Sequence, residues 1–435
     1  MMTLGIDLAV RAVHVATLTD DRGKVVWTRR RFRNHPEDLV ALSAAAGPPT
    51  ELTVVMEPTR NAWVIVAAHF RAAGAKVVLV APEQSADLRR YYNKHTKNDR
   101  LDALMLARLP LLHPDGLVEI ADLGPADALK RAVRRRVRLV EDHLASRQRL
   151  DAMLDLLGPC YAEVLGVRGS RTSLLVLERY GDPRDLRRLG RNRLTTVLSR
   201  ASRGQWGASH AERLLDAANE AIALWAGGGL DFTELAWDLA SEVRIIRRIE
   251  DEIGLLDNRI AELYAAADPK KIIISAPGVG PVLAGGIRGR LGDPDRFANL
   301  AAVRSFSGMI PRVNQSGNTE TRAGITKQGD PGLRRDIWFA AELARHQDPQ
   351  LAAKYYRLIV ERRLHHYSAV CHLATTLLTR IAACWRNGQT YIVRDVDGRP
   401  VTLEQARAII AERYTIPPEH RRRSRVPDAV NEPTK

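Results

Sequence analysis

Cysteine is scarce in this chain: Cys160, Cys371 and Cys384 are the only three in 435 residues, and they lie far apart. An odd, sparse set argues against a disulfide framework and suits a reducing cytoplasm, which is the expected location. The spacing shows no cysteine metal-ligand pairing either. Long apolar runs are missing too, since none reaches the ~18 residues that span a bilayer. The amino terminus leads straight into a strand-like segment, without the basic, apolar and cleavable pattern of a secretion signal. Acidic residues are in deficit: 51 Asp and Glu face 66 Lys and Arg, a net charge of +15. The pI is near 10.1. Such an excess points to a polyanion as partner, because a basic surface gains affinity by releasing the counterions of phosphates. A basic protein with no such partner shows the same excess, so charge alone does not decide.

What is present is globular. Hydrophobic residues make up 45% of the chain, and 435 residues exceed one ordinary core, so two or three domains are expected. Residues 1–118 read as alternating strands and helices. TLGIDLA, AVHVATLTD and KVVWTRRRF supply three strands, with a turn at Asp20–Gly23. A helix follows from about Pro36, and LTVVME and AKVVLVAP are further buried strands. The order β-β-β-α-β-α-β-α is that of a ribonuclease-H-like (RuvC-type) mixed sheet flanked by helices.

Residues 119–268 carry two long helices. In the first, Val133, Val137, Val140 and Leu144 follow 4-3-4 spacing beneath basic faces. In the second, Ile246, Ile249, Ile253, Leu256, Ile260 and Leu263 make an unbroken 3-4-3-4-3 seam. That is coiled-coil spacing, open to pairing within one chain or between chains. Residues 166–232 read as an inserted helical subdomain without evident chemistry. Residues 269–395 form a third, mainly helical unit. Its IIISAPGVGPVLAGGI resembles a helix-hairpin-helix, in which Gly278 and Gly280 would let backbone N–H groups approach a phosphate. A plain connection between helices is the alternative. The polar stretch NQSGNTETRAG reads as a loop. Residues 396–435 are an extension ending in a basic, Pro-rich tail with Arg421, Arg422, Arg423 and Arg425.

Four acids stand out. Asp7 lies inside the strand GIDLA, and Glu57 closes LTVVME. An acid against such an apolar background is costly unless a cation or hydrogen-bond donors meet it. Asp99 and Asp102 are three apart on a helix and share a face. If the first and fourth strands are neighbours, as in a ribonuclease-H-like sheet, Asp7 and Glu57 lie side by side with that helix across them. Four oxygen donors there would hold one or two Mg²⁺ ions for phosphoryl transfer. An actin-like ATPase would need glycine-rich phosphate loops near residues 5–12, and GIDLAVRAV has none.

The segments GID, VVMEPT, KNDRLDA, PGVG, RFANLAAVRSFSGMIPR, QSG and GITKQGDPGLRR occur in this order. Together they resemble the IS one-ten group of insertion-sequence transposases, over residues 1–160 and 235–390. The resemblance implies a DNA recombinase whose metal-binding acids fall on Asp7, Glu57, Asp99 and Asp102, and whose nucleophile falls on Ser316 of Gln-Ser-Gly. It also implies element and target DNA as partners, a structured guide (bridge) RNA, and a dimer or tetramer in which acids of one protomer serve Ser316 of another. Arg312, Arg322, Lys327, Arg334 and Arg335 flank Ser316 and could neutralise a pentacovalent phosphate. Ser305 and Ser307 are weaker candidates. Two other readings stay open: a junction nuclease using metal and water with Ser316 structural, and a noncatalytic nucleic-acid-binding scaffold.

Overall fold

The computed structural model describes residues 1–80, 99–113, 117–120, 127–166, 170–316 and 319–420, without the side chains of Asp99, Arg100, Val118 and 311–323. The arginine cluster of the tail therefore lies outside the described residues. Among those described, no helix is long and apolar enough to cross a membrane.

The amino-terminal part is a mixed sheet with helices on both faces. Its strands are β1 (Met2–Asp7), β2 (His14–Thr19), β3 (Val25–Phe32), β4 (Leu52–Met56), β5 (Lys76–Leu79) and the short β6 (Val118–Glu119), in the order β3-β2-β1-β4-β5-β6. β1, β2 and β3 pair antiparallel as a meander, β1 pairs β4 in parallel, and β4 pairs β5 in parallel. The expected element order is the observed one. Helices α1 (Pro36–Ala46), α2 (Ala62–Ala72) and α3 (Asp99–Leu112) complete it. Pro36 opens α1, Glu37 and Asp38 occupy its first turn, and Gly47 ends it at φ 95°, the arrangement that helix termini favour.

Alternation along the strands splits the core between the two faces. Leu4, Ile6, Val54, Met56 and Val77 join Leu42, Val66 and Phe70 on one side. Val55, Val78 and Val80 join Leu106 and Leu109 of α3 on the other. β4 is buried at every position, which explains its unbroken apolar run.

The chain forms two compact units, residues 132–263 and the remainder. The smaller unit contains most of α4 (Ala128–Asp155), then α5 (Pro159–Leu165), α6 (Arg171–Tyr180), α7 (Pro183–Ser202), α8 (Ala208–Leu224) and most of α9 (Phe232–Ala267). Arg136 pairs with Asp257, His143 with Glu250 and Arg149 with Glu242. The partner number falls as the first rises, so α4 and α9 run antiparallel within one chain. Ile246 and Ile260 of the seam are buried, while Val140 and Leu144 of α4 are exposed, so the 4-3-4 row of α4 is only half used. Residues 166–232 form no separate lobe. Leu174, Leu177, Leu194 and Leu214 share one core with Leu150, Leu154, Leu239 and Val243 of the long helices.

The carboxyl-terminal part is helical, with one hairpin: α10 (Pro281–Leu291), α11 (Leu300–Ser307), β7 (Pro311–Ser316), β8 (Thr319–Ile325), α12 (Pro331–Ala344), α13 (Pro349–Tyr356), α14 (His366–Arg386) and α15 (Leu403–Arg413). Leu333, Ile337, Ala340 and Ala344 of α12 are buried, as are Leu373, Leu377 and Ile381 of α14.

Candidate functional site

The sheet register brings two of the acids together. Ile6 stands opposite Met56 on parallel strands about 4.8 Å apart, so Asp7, the last residue of β1, and Glu57, the first residue beyond β4, follow on neighbouring chains. Gly5 and Val55 face each other in the same ladder, and Val55 belongs to the α3 side of the sheet. With a two-residue period, Asp7 and Glu57 face that side too. α3 crosses β1 at Gly5, where an added Cβ would lie 2.1 Å from the Ala103 carbonyl oxygen and 2.3 Å from the Ala107 nitrogen. Only glycine lets helix and strand backbones approach so closely. The contact sets Asp102, next to Ala103, near the strand end two residues beyond Gly5, and Asp102 is buried at 8% exposure. Thr19 Oγ1 donates to the Ala107 carbonyl at 3.4 Å, and Arg108 Nε to the Gly23 carbonyl at 3.0 Å, holding α3 on the sheet.

Asp99 begins α3 and its side chain lies outside the described residues. Among the described residues, no three His, Cys, Asp or Glu side chains are grouped closely enough to hold a metal ion. The donor chemistry is nevertheless uniform. Carboxylate oxygens at a strand end, beside it and on the covering helix are the donors a hard divalent cation takes. His14, beside this end of the sheet, is buried. The Ala9 N–H donates to its Nδ1 at 3.1 Å, and burial pushes its pKa down, opposed by a hydrogen bond with Asn34.

The polar stretch around Ser316 is a hairpin, not the expected loop. β7 and β8 pair antiparallel from Pro311 with Ile325 to Ser316 with Thr319. Ser316 thus ends the ladder, next to the two residues that join the strands. The foot of the hairpin is a tight knot. The Thr326 N–H donates to the Ile310 carbonyl at 2.9 Å, and the Lys327 N–H to the Gly308 carbonyl at 3.0 Å. Gly308 ends α11 at φ 67°, and a Cβ there would lie 2.6 Å from the Gln328 carbonyl oxygen. Arg334 donates to the Ser307 carbonyl at 3.1 Å and the Lys327 carbonyl at 3.4 Å.

The five cations expected around Ser316 separate accordingly. Lys327 is exposed. Arg334 fastens the hairpin foot, and Arg335 pairs with Asp336 at 3.2 Å. Burial pushes the Asp336 pKa up against the pull of Arg335 and Arg290. Arg312 stands opposite Ala323, and Arg322 opposite Val313; their side chains are not described. Of the weaker serines, Ser307 is buried and donates to the Arg304 carbonyl at 2.6 Å, while Ser305 is exposed.

The helix-hairpin-helix expectation is half met. α10 starts at Pro281 with Gly280 as its exposed N-cap, but residues 272–275 form turns where a first helix was expected. The cause is Asp268, buried to 1% exposure. Its carboxylate accepts the Ile272 and Ile273 N–H groups at 3.0 and 2.9 Å, capping the chain before a helix can continue. Gly278 packs on α12, a Cβ there falling 2.4 Å from the Ala340 carbonyl oxygen, and its N–H donates to Gln347 at 3.3 Å. That gives Gly278 a packing role in this fold.

Comparison with known proteins gives this pairing of parts a class. Residues 4–159 match a family model described as a transposase, of DEDD type, and residues 270–357 match a second described as transposase IS116/IS110/IS902 family. The chain is a transposase, an enzyme that cuts DNA and transfers its strands. It belongs to the IS110/IS116/IS902 family. The insertion element IS110 43.6 kDa protein of Streptomyces coelicolor is 26% identical over 395 residues, covering 89% of this chain and 95% of the relative. The insertion element IS116 44.8 kDa protein of Streptomyces clavuligerus is 25% identical, covering 85% and 91%. The transposase for insertion sequence element IS1111A of Coxiella burnetii is 26% identical and covers 83% of each chain.

Proposed function

We propose that the chain is a site-specific recombinase that excises and inserts its own insertion sequence through a serine–phosphate intermediate. The observation that carries the reading is the register of β1 on β4, which sets Asp7 and Glu57 side by side beneath the helix bearing Asp99 and Asp102. Two acids at adjoining strand ends repel one another, and a shared divalent cation offsets that repulsion. In this reading the amino-terminal sheet is ribonuclease-H-like, its four carboxylates hold Mg²⁺, and the α4–α9 pair is an antiparallel coiled coil. When bound, Mg²⁺ would acidify the attacking hydroxyl and offset charge on the phosphate.

Ser316 is the nucleophile in this reading, which its place at the end of the β7–β8 ladder supports. Its Oγ forms a bond to a backbone phosphorus as the bond from that phosphorus to one sugar oxygen breaks. The proton lost by serine balances the proton gained by the departing sugar hydroxyl. Attack by a hydroxyl from the other duplex reverses the step, restores a phosphodiester and frees the serine, so bond energy is conserved and no nucleotide is consumed. Target choice by a guide RNA, and completion of each site by acids from a second protomer, belong to the same reading, supported by the family membership.

Removing a carboxylate tests it. Asp7→Asn and Asp102→Asn should keep fold and DNA affinity while strand transfer falls at least about a hundredfold. Transfer at the parent rate by either variant in Mg²⁺ would rule out the carboxylate centre.

A further inference from the structure

The foot of the hairpin borders a cavity of about 990 Å³ lined by residues from four elements. Met309, Ile310, Gly324 and Ile325 form one wall. Lys327 from the foot, Arg304 from α11, Lys354 from α13, and His372 and Arg380 from α14 converge on it, and the described lining residues include no Asp or Glu. Like charges gathered in a half-enclosed space repel one another, the more so where water screens them poorly. Burial, then Arg380 and Arg357, push the Lys354 ammonium down, and burial, then Lys354 and Arg362, push the His372 imidazole down. Lys354 Nζ donates to Thr376 Oγ1 at 2.6 Å, a hydroxyl that orients it without neutralising it. Arg380 is fixed in place from behind, donating to Gln350 at 2.7 Å, to the Tyr391 hydroxyl at 2.9 Å and to the buried Asp348 carboxylate at 3.4 Å, which offsets part of its charge.

The rim adds aromatic surface. Tyr367 lines the cavity and is 50% exposed. Its ring stacks with Trp338 at 5.6 Å and with His365 at 5.5 Å between centroids. A cationic groove beside an exposed aromatic side chain is the combination that binds single strands, the cations taking phosphates and the ring taking a base.

We propose that this cavity seats the phosphodiester backbone of a nucleic-acid strand, with bases over the Tyr367 ledge, at the foot of the hairpin that ends in Ser316. The assignment rests on the nucleophilic role of Ser316 only for what the strand is held for. Binding itself is independent of that role. Five residue steps of β7 lead from Pro311 to Ser316, about 17 Å of strand, or roughly five nucleotides at B-form spacing. The cavity therefore grips the strand several nucleotides from the point of cutting.

Cys371 lines the cavity, whereas Cys160 belongs to the core of the other unit, so the two thiols report separately. Full-length protein is alkylated with and without a saturating mixed-sequence single strand, once as DNA and once as RNA. The strand that occupies the cavity should slow Cys371 modification several-fold and leave Cys160 unchanged. Lys354→Met keeps the aliphatic volume and should raise the half-protecting concentration about tenfold, with a salt slope shallower by about 0.7. Arg304→Ala and His372→Gln, both at exposed positions, should each act in the same direction without lowering Tm. Protection by either polymer identifies the source of the strand. Unaltered Cys371 reactivity in protein that binds both polymers, or parental affinity and salt slope in all three variants, would overturn the assignment. Neither result bears on whether Ser316→Ala still forms a covalent adduct, so the two readings fail separately.

Discussion

The carboxylate end of the sheet and the hairpin of Ser316 hold their residues by opposite means. Asp7 and Glu57 are placed by the buried core. Every residue of β4 is buried, Ile6 is locked opposite Met56, and a one-residue slip would turn the whole apolar set outward. Ser316 is placed by a knot at the far end of two strands, tied by backbone hydrogen bonds, Gly308 and Arg334. A site built into a core is rigid and expensive to perturb. A site on a projection depends on a few fastening contacts and is free to reach a partner.

The sharpest way to break the first arrangement is at Gly5. Gly5→Ala drives a methyl into the Ala103 carbonyl at 2.1 Å, and α3 must lift from β1. Overpacking of this kind costs about 1–3 kcal/mol or more, and Asp102 moves with the helix. The expected result is a lower Tm together with loss of strand transfer. A variant with parental Tm and parental transfer would show that α3 does not bear on the strand end as described.

The second arrangement breaks at Gly308, with a smaller effect on the whole molecule. Gly308→Ala meets a φ of 67° and a carbonyl at 2.6 Å, a local cost of about 1–3 kcal/mol. Hydrogen exchange should accelerate across residues 308–327 and stay unchanged across the amino-terminal sheet. Equal acceleration in both regions would erase the contrast between them.

Acid gives the smallest difference. Burial holds the pKa of His14, His346 and His372 below the free value of 6.5. Between that value and the lower folded ones, the unfolded chain binds more protons, so stability falls as pH drops below about 6.5. Tm should be lower at pH 5.5 than at pH 7.5, and His14→Gln should flatten part of that slope. A slope identical in that variant would remove His14 from the account.

These differences also mark what the sequence makes legible. The strand order and Asp7 beside Glu57 can be read because acids set among apolar, β-branched residues are costly and therefore informative. The glycine of GIDLA carried a further signal, a close backbone approach, that the acids overshadowed. The hairpin was legible in principle. A Gly-Asn dipeptide at 317–318 is a sequence-level hairpin signal, but polar side chains on both strands hide the apolar alternation on which strands are recognised. The turns at 272–275 could not be read, because a single buried carboxylate, Asp268, overrides an apolar stretch with helical spacing. The basic cavity left no local trace either. Arg304, Lys327, Lys354, His372 and Arg380 meet only through the packing of separate elements.

The central claim is that a side chain of this enzyme becomes bonded to DNA, and a denaturing gel of end-labelled element DNA tests it most directly. Ser316→Ala removes one hydroxyl from the end of a hairpin, at a cost of at most about 1 kcal/mol, so the protein should fold and bind DNA as before. Parent protein should give a protein-linked band, and Ser316→Ala should give neither that band nor recombinant product. A protein-linked band that survives in Ser316→Ala contradicts the account and moves the nucleophile elsewhere.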